Sequence, residues 1–112
     1  MNKRIKLAQD FADEIKSKYI EQIILFGFVA RGDDNENSDI DILIITDYRN
    51  KIWPKISHLM AGTVLNHDEL IIAHIMPTQI FNETKNYSFL TNVLEEGIII
   101  GWSRKFLNKV IL

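Results

Sequence analysis

The sequence predicts an α/β (α+β) domain, with a small mixed β-sheet and helices packed mainly on one face. The chain has 112 residues, of which 46% are hydrophobic, so a single compact domain over residues 1–112 is expected. Segments with helical spacing alternate with short β-branched runs, which favours mixed helices and strands. A loop rich in Gly, Asp and Asn separates the first two of those runs, and function is expected at this loop-bearing edge.

The first three elements are read from residue spacing. Apolar residues recur at three- and four-residue steps over residues 3–19, which predicts an amphipathic helix. Short β-branched runs then predict strands over residues 22–26 and 39–46, on either side of the polar loop.

The second half of the chain continues the alternation. Pro54 is compatible with the next helix because it is expected in the first turn, and Gly97 is expected to end a later helix in the left-handed conformation. The predicted elements are a helix over 51–65, a strand over 69–76, a short helix over 78–83, a helix over 88–96, a short strand or buried extension over 98–100 and a helix over 103–112. The apolar face of the last helix would need a partner.

Composition excludes several classes of function. A formal charge of −2 disfavours binding to nucleic-acid phosphates, and the lack of cysteine excludes disulfides, thiolate zinc sites and iron–sulfur clusters. No run of about 18 apolar residues is present, so neither a membrane span nor secretion is expected. A cytoplasmic location is therefore predicted.

The polar loop concentrates negative charge. Five acids and one base lie between Arg31 and Asp41. Asp39 and Asp41 are two residues apart at the start of a predicted strand, so both carboxylates leave the same face. Oxygen ligands at that spacing suit Mg²⁺ or Mn²⁺ assisted by phosphate oxygens, although an isolated pair of this kind also occurs as exposed acids at the beginning of a strand.

A longer motif surrounds that pair. Residues 25–44, LFGFVARGDDNENSDIDILI, resemble the signature of the minimal nucleotidyltransferases of the DNA-polymerase-β-like superfamily, in which a Gly-Ser pair is followed by ten residues and Asp-x-Asp. The matching positions are Gly27, Arg31, Gly32, Ser38, Asp39 and Asp41. The resemblance implies that Asp39 and Asp41 hold two metal ions, Mg²⁺ or Mn²⁺, that clamp the triphosphate of ATP. A hydroxyl of a protein or small molecule would then receive the nucleotidyl group, commonly AMP.

Family members also supply a third carboxylate from the next strand. Glu69 is chosen for that role, with Asp68 as the alternative, and either is also compatible with a solvated residue at the start of a strand. His74 lies within the same apolar strand and is interpreted as a core or edge histidine, with an approach to the site as the alternative.

The match departs from the family at Phe28, which stands where the phosphate-binding serine is expected after Gly27. Either its ring swings out and the backbone donors still bind phosphate, or it fills the phosphate pocket. Arg31 would neutralise phosphate or pair with Asp33 or Asp41.

The resemblance also implies partners, because small members often form the antitoxin half of a pair with a helical HEPN protein. Substrate choice would come from such a partner or from a homodimer. The alternative functions are a catalytically inactive binding module of the same fold and, third, a metal-binding regulatory domain without nucleotide.

Overall fold

A computed structural model of the chain describes residues 2–103. It is a mixed α+β domain with a four-stranded sheet, as predicted. The elements are α1 (Lys3–Ile15), β1 (Ile20–Phe26), α2 (Gly27–Arg31), β2 (Ile40–Thr46), α3 (Arg49–His67), β3 (Ile71–Met76), α4 (Thr78–Thr84), α5 (Ser88–Glu96) and β4 (Ile98–Trp102). The predicted C-terminal helix over 103–112 lies outside the described residues, apart from Ser103.

The sheet has the order β3-β2-β1-β4. β1 pairs antiparallel with both β2 and β4, whereas β2 and β3 are parallel and are connected through α3. A parallel pair needs such a long crossover, which the 19-residue helix supplies. The registers place Phe26 of β1 opposite Asp41 of β2, and Ile40 opposite Ile71 of β3.

Helices cover the two faces of the sheet unequally, in agreement with the prediction. α1 and α3 pack on one face, where the larger group of buried side chains lies: Ala8, Phe11, Ala12, Ile15, Ile20, Ile23, Leu25, Val29, Ile40, Ile42, Ile44, Ile52, Ile56, Ile71 and Ile100. The opposite face carries a smaller group, to which α5 contributes: Ile24, Phe26, Leu43, Ile45, Leu90 and Val93. β2 is therefore buried on both faces along most of its length.

The first helix is shorter than its periodicity predicts. Asn2 caps α1 by accepting hydrogen bonds from the N–H groups of Arg4 and Ile5, at 2.7 and 3.2 Å. The helix ends at Ile15 because Lys16 adopts an extended backbone, with ψ of 134°. Tyr19, the last residue of the predicted helix, instead packs its ring against that of Tyr48 at 5.3 Å.

Two further local predictions were wrong. α3 begins at Arg49, two residues before the predicted start, because the carbonyl of Tyr48 already accepts from Lys51 and Ile52. Pro54 therefore lies in the second turn, where it has no N–H to donate to the carbonyl of Asn50.

Gly97 is also not left-handed, since its φ is −75° and its ψ 158°. A glycine is needed there for space, because an added Cβ would overlap the carbonyl oxygen of Val93 and lie 2.7 Å from Ile24 Cγ2. Separately, no helix among residues 2–103 is both long and apolar enough to cross a membrane.

Candidate active site

The candidate site begins where β1 turns into α2. Gly27 has a φ of +77°, a left-handed conformation that glycine adopts readily, and it starts the short helix α2 that sequence spacing did not predict. A Cβ built on Gly27 would lie only 2.7 Å from Oδ2 of Asp41. The carboxylate of Asp41 therefore occupies the space that any side chain at position 27 would need.

The start of β2 orients the acidic pair. Ile40 and Ile42 are fully buried on the α1/α3 face, so Asp41 points to the opposite face, with its side chain 26% exposed. Asp39 lies one residue before the strand and is exposed, and strand alternation extended by one residue places it on the side of Asp41. The N–H of Ile40 donates to the carbonyl of Leu70 at 2.9 Å, which fixes where β2 begins.

His74 joins Asp41 from the neighbouring strand. In the parallel β2/β3 register His74 lies opposite Leu43, and residues paired in this way share a face of the sheet. Its Nε2 atom is 3.4 Å from Oδ1 of Asp41, and its ring lies 5.3 Å from that of Phe26. The side chain is 45% exposed, and β3 is an edge strand of the sheet. His74 is therefore an edge histidine that also approaches the site.

The two candidates for a third carboxylate lie elsewhere. β3 begins at Ile71, so Asp68 and Glu69 precede it. Asp68 ends α3 in a left-handed conformation, with φ of 53°. Glu69 accepts a hydrogen bond from Nε of Arg4 at 2.9 Å. The structure therefore brings Gly27 and Asp41 together and places Glu69 in a separate ion pair.

Arg4 of α1 organises the acidic loop through that ion pair. Its guanidinium bonds Asp34 at 2.9 Å as well as Glu69, and it also donates to the backbone carbonyls of Asn35 and Glu36. The side chain is only 11% exposed, and the hydrogen bonds to Glu69 and then Asp34 raise the pKa of Arg4 above its ordinary value. Sequence spacing missed this residue because its partners are distant along the chain.

A cleft of about 390 Å³ opens beside Asp41. Its lining residues come from the end of β1, α2, β2 and α5: Phe26, Gly27, Phe28, Arg31, Asp41, Phe89, Asn92, Val93 and Glu96. Phe28 is 54% exposed, and its ring lies on the wall of the cleft, 4.8 Å from the guanidinium carbon of Arg31. The ring is therefore partly exposed and also lines the cleft, and which of the two expected orientations applies when phosphate binds stays a prediction.

Arg31 connects α2 to the loop and to α5. It contacts Oδ2 of Asp33 at 3.4 Å, which is one of the pairings expected from the sequence, and Oε2 of Glu96 at 3.1 Å. Its side chain is about one third exposed, and both acids are more exposed than that. Solvent-exposed pairs of this kind contribute little to stability, so Arg31 is held weakly at the edge of the cleft.

The carboxylates of the site fit a divalent cation that is bound partly by the protein and partly by phosphate oxygens. Within residues 2–103, no three or more His, Asp and Glu side chains are grouped closely enough to hold a metal ion by themselves. Asp41 supplies a hard oxygen donor at the cleft, and strand alternation extended to Asp39 predicts a second one on the same side. Mg²⁺ commonly combines one or two carboxylates with substrate phosphates.

The glycine turn, the acidic pair at the start of β2 and the adjoining cleft define a nucleotidyltransferase class of fold and site. The chain belongs to this family, because the sequence model of the nucleotidyltransferase domain family matches residues 8–102. A relative from Methanocaldococcus jannaschii, MJ0604, named as a proposed protein adenylyltransferase, is 41% identical over 98 residues, covering 85% of this chain and 95% of the relative. A second, MJ0141, carries the same description and is 34% identical over 85 residues, covering 70% of this chain and 85% of the relative.

Solved structures share the fold of this chain. A toxin–antitoxin complex with AMP-PNP has a chain that matches with a TM-score of 0.56 and 18% identity, over 98% of this chain and 85% of that one. A proposed nucleotidyltransferase from Sulfolobus solfataricus matches with a TM-score of 0.53 and 19% identity, over 91% and 82% of the two chains. At these identities the likeness shows the shared fold.

Proposed function

We propose that this protein is a metal-dependent nucleotidyltransferase that transfers AMP from ATP to a hydroxyl group of a protein. The observation that carries the proposal is the contact between Gly27 and Asp41, because the glycine leaves room for a carboxylate at the mouth of an open cleft. The transfer forms a bond between the acceptor oxygen and the α-phosphorus. The bond from that phosphorus to the bridging oxygen breaks, pyrophosphate leaves, and the acceptor proton passes to solvent or to a base.

Each side chain of the site has a role that fits its place. Asp39 and Asp41 would hold Mg²⁺ or Mn²⁺, which when bound neutralises phosphate charge. Gly27 keeps the carboxylate of Asp41 beside the turn, and Arg31 offers positive charge at the edge of the cleft. Asn92 and Phe89 of α5 form the wall on which the rest of the nucleotide would lie.

The relatives support the choice of nucleotide and acceptor. MJ0604 is named for adenylyl transfer to protein, and the toxin–antitoxin complex with the same fold contains AMP-PNP, an ATP analogue. We therefore extend the proposal to a protein acceptor and to a toxin partner of the helical HEPN type. A second copy of the chain is the other candidate partner.

Phe28 favours a second candidate function, a binding module that has lost triphosphate binding. Its ring lies on the cleft wall at the position where a serine hydroxyl would be expected to donate to phosphate, and a phenyl group has no such donor. The two functions make opposite predictions for the effect of nucleotide on stability.

Thermal unfolding tests the proposal, with Mg²⁺, ATP and both together. Saturation at 100 times Kd stabilises the native state by about 2.7 kcal/mol, which is several degrees for a domain of this size. We expect a shift that requires both metal and ATP and that disappears in Asp41→Asn. The matched control is Asp13→Asn, another partly exposed carboxylate, which lies on α1.

The alternative gives a different pattern. If the native chain shows no shift but Phe28→Ser gains one, the protein is a binding module and the enzymatic proposal is wrong. If the shift is present, mass spectrometry of candidate partners incubated with ATP should show the mass of AMP added to a hydroxyl side chain.

A further inference from the structure

The face of the sheet that carries Asp41 has one more potential metal ligand within reach. His74 places Nε2 3.4 Å from Oδ1 of Asp41, while Oδ2 of the same carboxylate faces Gly27. The carboxylate of Asp41 therefore lies between the Gly27 turn and the imidazole of His74. Its Oδ1 atom faces the ring nitrogen of His74, which is a second potential metal ligand.

Two donors at this separation can share one cation. Metal–oxygen and metal–nitrogen bonds are about 2.1 Å long for ions of this size, so atoms up to about 4.2 Å apart can both bind the same ion. The distance of 3.4 Å lies within that limit. His74 is 45% exposed, so a shift of its ring by the few tenths of an ångström that coordination requires needs only a small adjustment of its packing against Phe26.

Glu69, the third carboxylate that the sequence predicts for the site, is already engaged in an ion pair. Glu69 precedes β3 and is paired with Arg4 at 2.9 Å, so it would have to break a largely buried ion pair to reach the site. Ile72 lies opposite Asp41 in the register but is apolar, so among the described residues of β3 His74 is the one whose side chain makes a polar contact with Asp41.

We propose that His74 is a nitrogen ligand of the same metal ion as Asp41, so that this site prefers Mn²⁺ and other transition-metal ions to Mg²⁺. Imidazole suits first-row transition metals, whereas Mg²⁺ prefers oxygen ligands and octahedral geometry. The inference rests on the proposed function, since it concerns the metal that would accompany the nucleotide.

The test measures Mn²⁺ binding directly by electron paramagnetic resonance, with and without AMP-PNP, and measures Mg²⁺ by competition. We expect His74→Ala to weaken Mn²⁺ binding at least about tenfold. We expect His74→Asp to bind both ions and to lose most of the preference for Mn²⁺. His58→Ala is the matched control, because His58 is an exposed histidine on α3, which packs on the opposite face of the sheet.

Coordination and hydrogen bonding are separated by spectroscopy. Electron spin echo modulation from a directly bound nitrogen should be present in the native protein and absent in His74→Ala. A histidine that only orients Asp41 through a hydrogen bond would give no such modulation, and that result would overturn the proposal.

The outcomes also separate this inference from the proposed function. If His74→Ala binds Mn²⁺ as tightly as the native chain while Asp41→Asn does not bind it, the histidine is not a ligand but the nucleotidyltransferase proposal stands. If the native chain binds neither Mn²⁺ nor Mg²⁺, alone or with AMP-PNP, both proposals are wrong.

Discussion

Replacing Arg4 by methionine should destabilise the protein strongly, because one side chain holds three separate parts of the structure. Its guanidinium connects α1 to Asp34 and to two backbone carbonyls of the acidic loop, and also to Glu69 before β3. Methionine fills a similar length but donates no hydrogen bond. Both carboxylates would then lose their cation in a place where they are only 14% and 16% exposed.

The size of the effect follows from that burial. Exposed ion pairs contribute about 0–1 kcal/mol, and removing one partner of a fully buried pair costs about 3–5 kcal/mol. The Arg4 pairs lie between these limits and nearer the buried one, so we expect the free energy of unfolding to fall by about 2–3 kcal/mol. For a domain of this size the midpoint of thermal unfolding would fall by roughly 10 °C. Arg4→Lys keeps the charge but not the forked geometry, and should recover less than half of the loss.

Urea denaturation measures this change, with Lys6→Met as the control. Lys6 forms an exposed pair with Asp10 one turn away on the same helix, with both side chains more than half exposed, so its loss should cost about 0.5 kcal/mol or less. Because the carboxylates of Glu69 and Asp34 raise the pKa of Arg4, its contribution is present below the pH range in which free arginine titrates, as long as both carboxylates are ionised, and is lost as the pH rises into strong base. If Arg4→Met and Lys6→Met destabilise equally at pH 7, the argument from burial is wrong.

Three glycine substitutions, one of them a control, test other contacts. Gly27→Ala and Gly32→Ala both force alanine into a conformation with φ of +77°, and this backbone strain alone should cost about 1 kcal/mol in each, measured by urea denaturation. Only Gly27→Ala displaces a carboxylate, since a Cβ at Gly32 meets nothing within 4 Å, so only this variant should lose the metal- and ATP-dependent thermal shift. Equal loss in both variants would contradict a specific role for the Gly27–Asp41 contact. Gly97→Ala should lower stability by about 1–3 kcal/mol through a clash with the carbonyl of Val93 rather than through φ, and an unchanged urea midpoint would contradict that account.

Local spacing predicted the order of the helices and strands but not all of their ends. Apolar periodicity continues through Tyr19, yet the helix stops at Ile15, because the Tyr19 side chain belongs to a contact with Tyr48 and not to the helix face. α2 has only five residues, which is too short to show a helical period in sequence. The sequence predicted a left-handed conformation at Gly97, but a glycine is required there because Ile24 and the carbonyl of Val93 leave no room for a Cβ.

In the site, contacts within a short motif could be predicted from the sequence, and contacts between residues far apart in the chain could not. The relation between Gly27 and Asp41 lies within one motif, so spacing was sufficient to suggest it. Arg4 and Glu69 are 65 positions apart, and His74 is 33 positions from Asp41. Their contacts depend on the packing of α1 and on the parallel register of β3, which no local pattern specifies.

The contrast between the two arginines bears on whether Phe28 prevents activity. Arg4 is nearly buried and makes several short contacts, so it is committed to the fold. Arg31 is one third exposed and its ion pairs, at 3.1 and 3.4 Å, are with acids whose side chains are 47% and 66% exposed. Such pairs are weak, whereas an arginine–phosphate contact is charge-assisted and often bidentate.

A triphosphate entering the cleft would therefore find a cation that can leave Asp33 and Glu96 at little cost. The ring of Phe28 lies under the guanidinium of Arg31 and holds it at the edge of the cleft without neutralising it. Loss of the serine hydroxyl removes one neutral donor, but the adjacent positive charge is retained. We accordingly expect Phe28→Ser to change the affinity for nucleotide less than Arg31→Gln does, which is the order that favours an enzyme over a binding module.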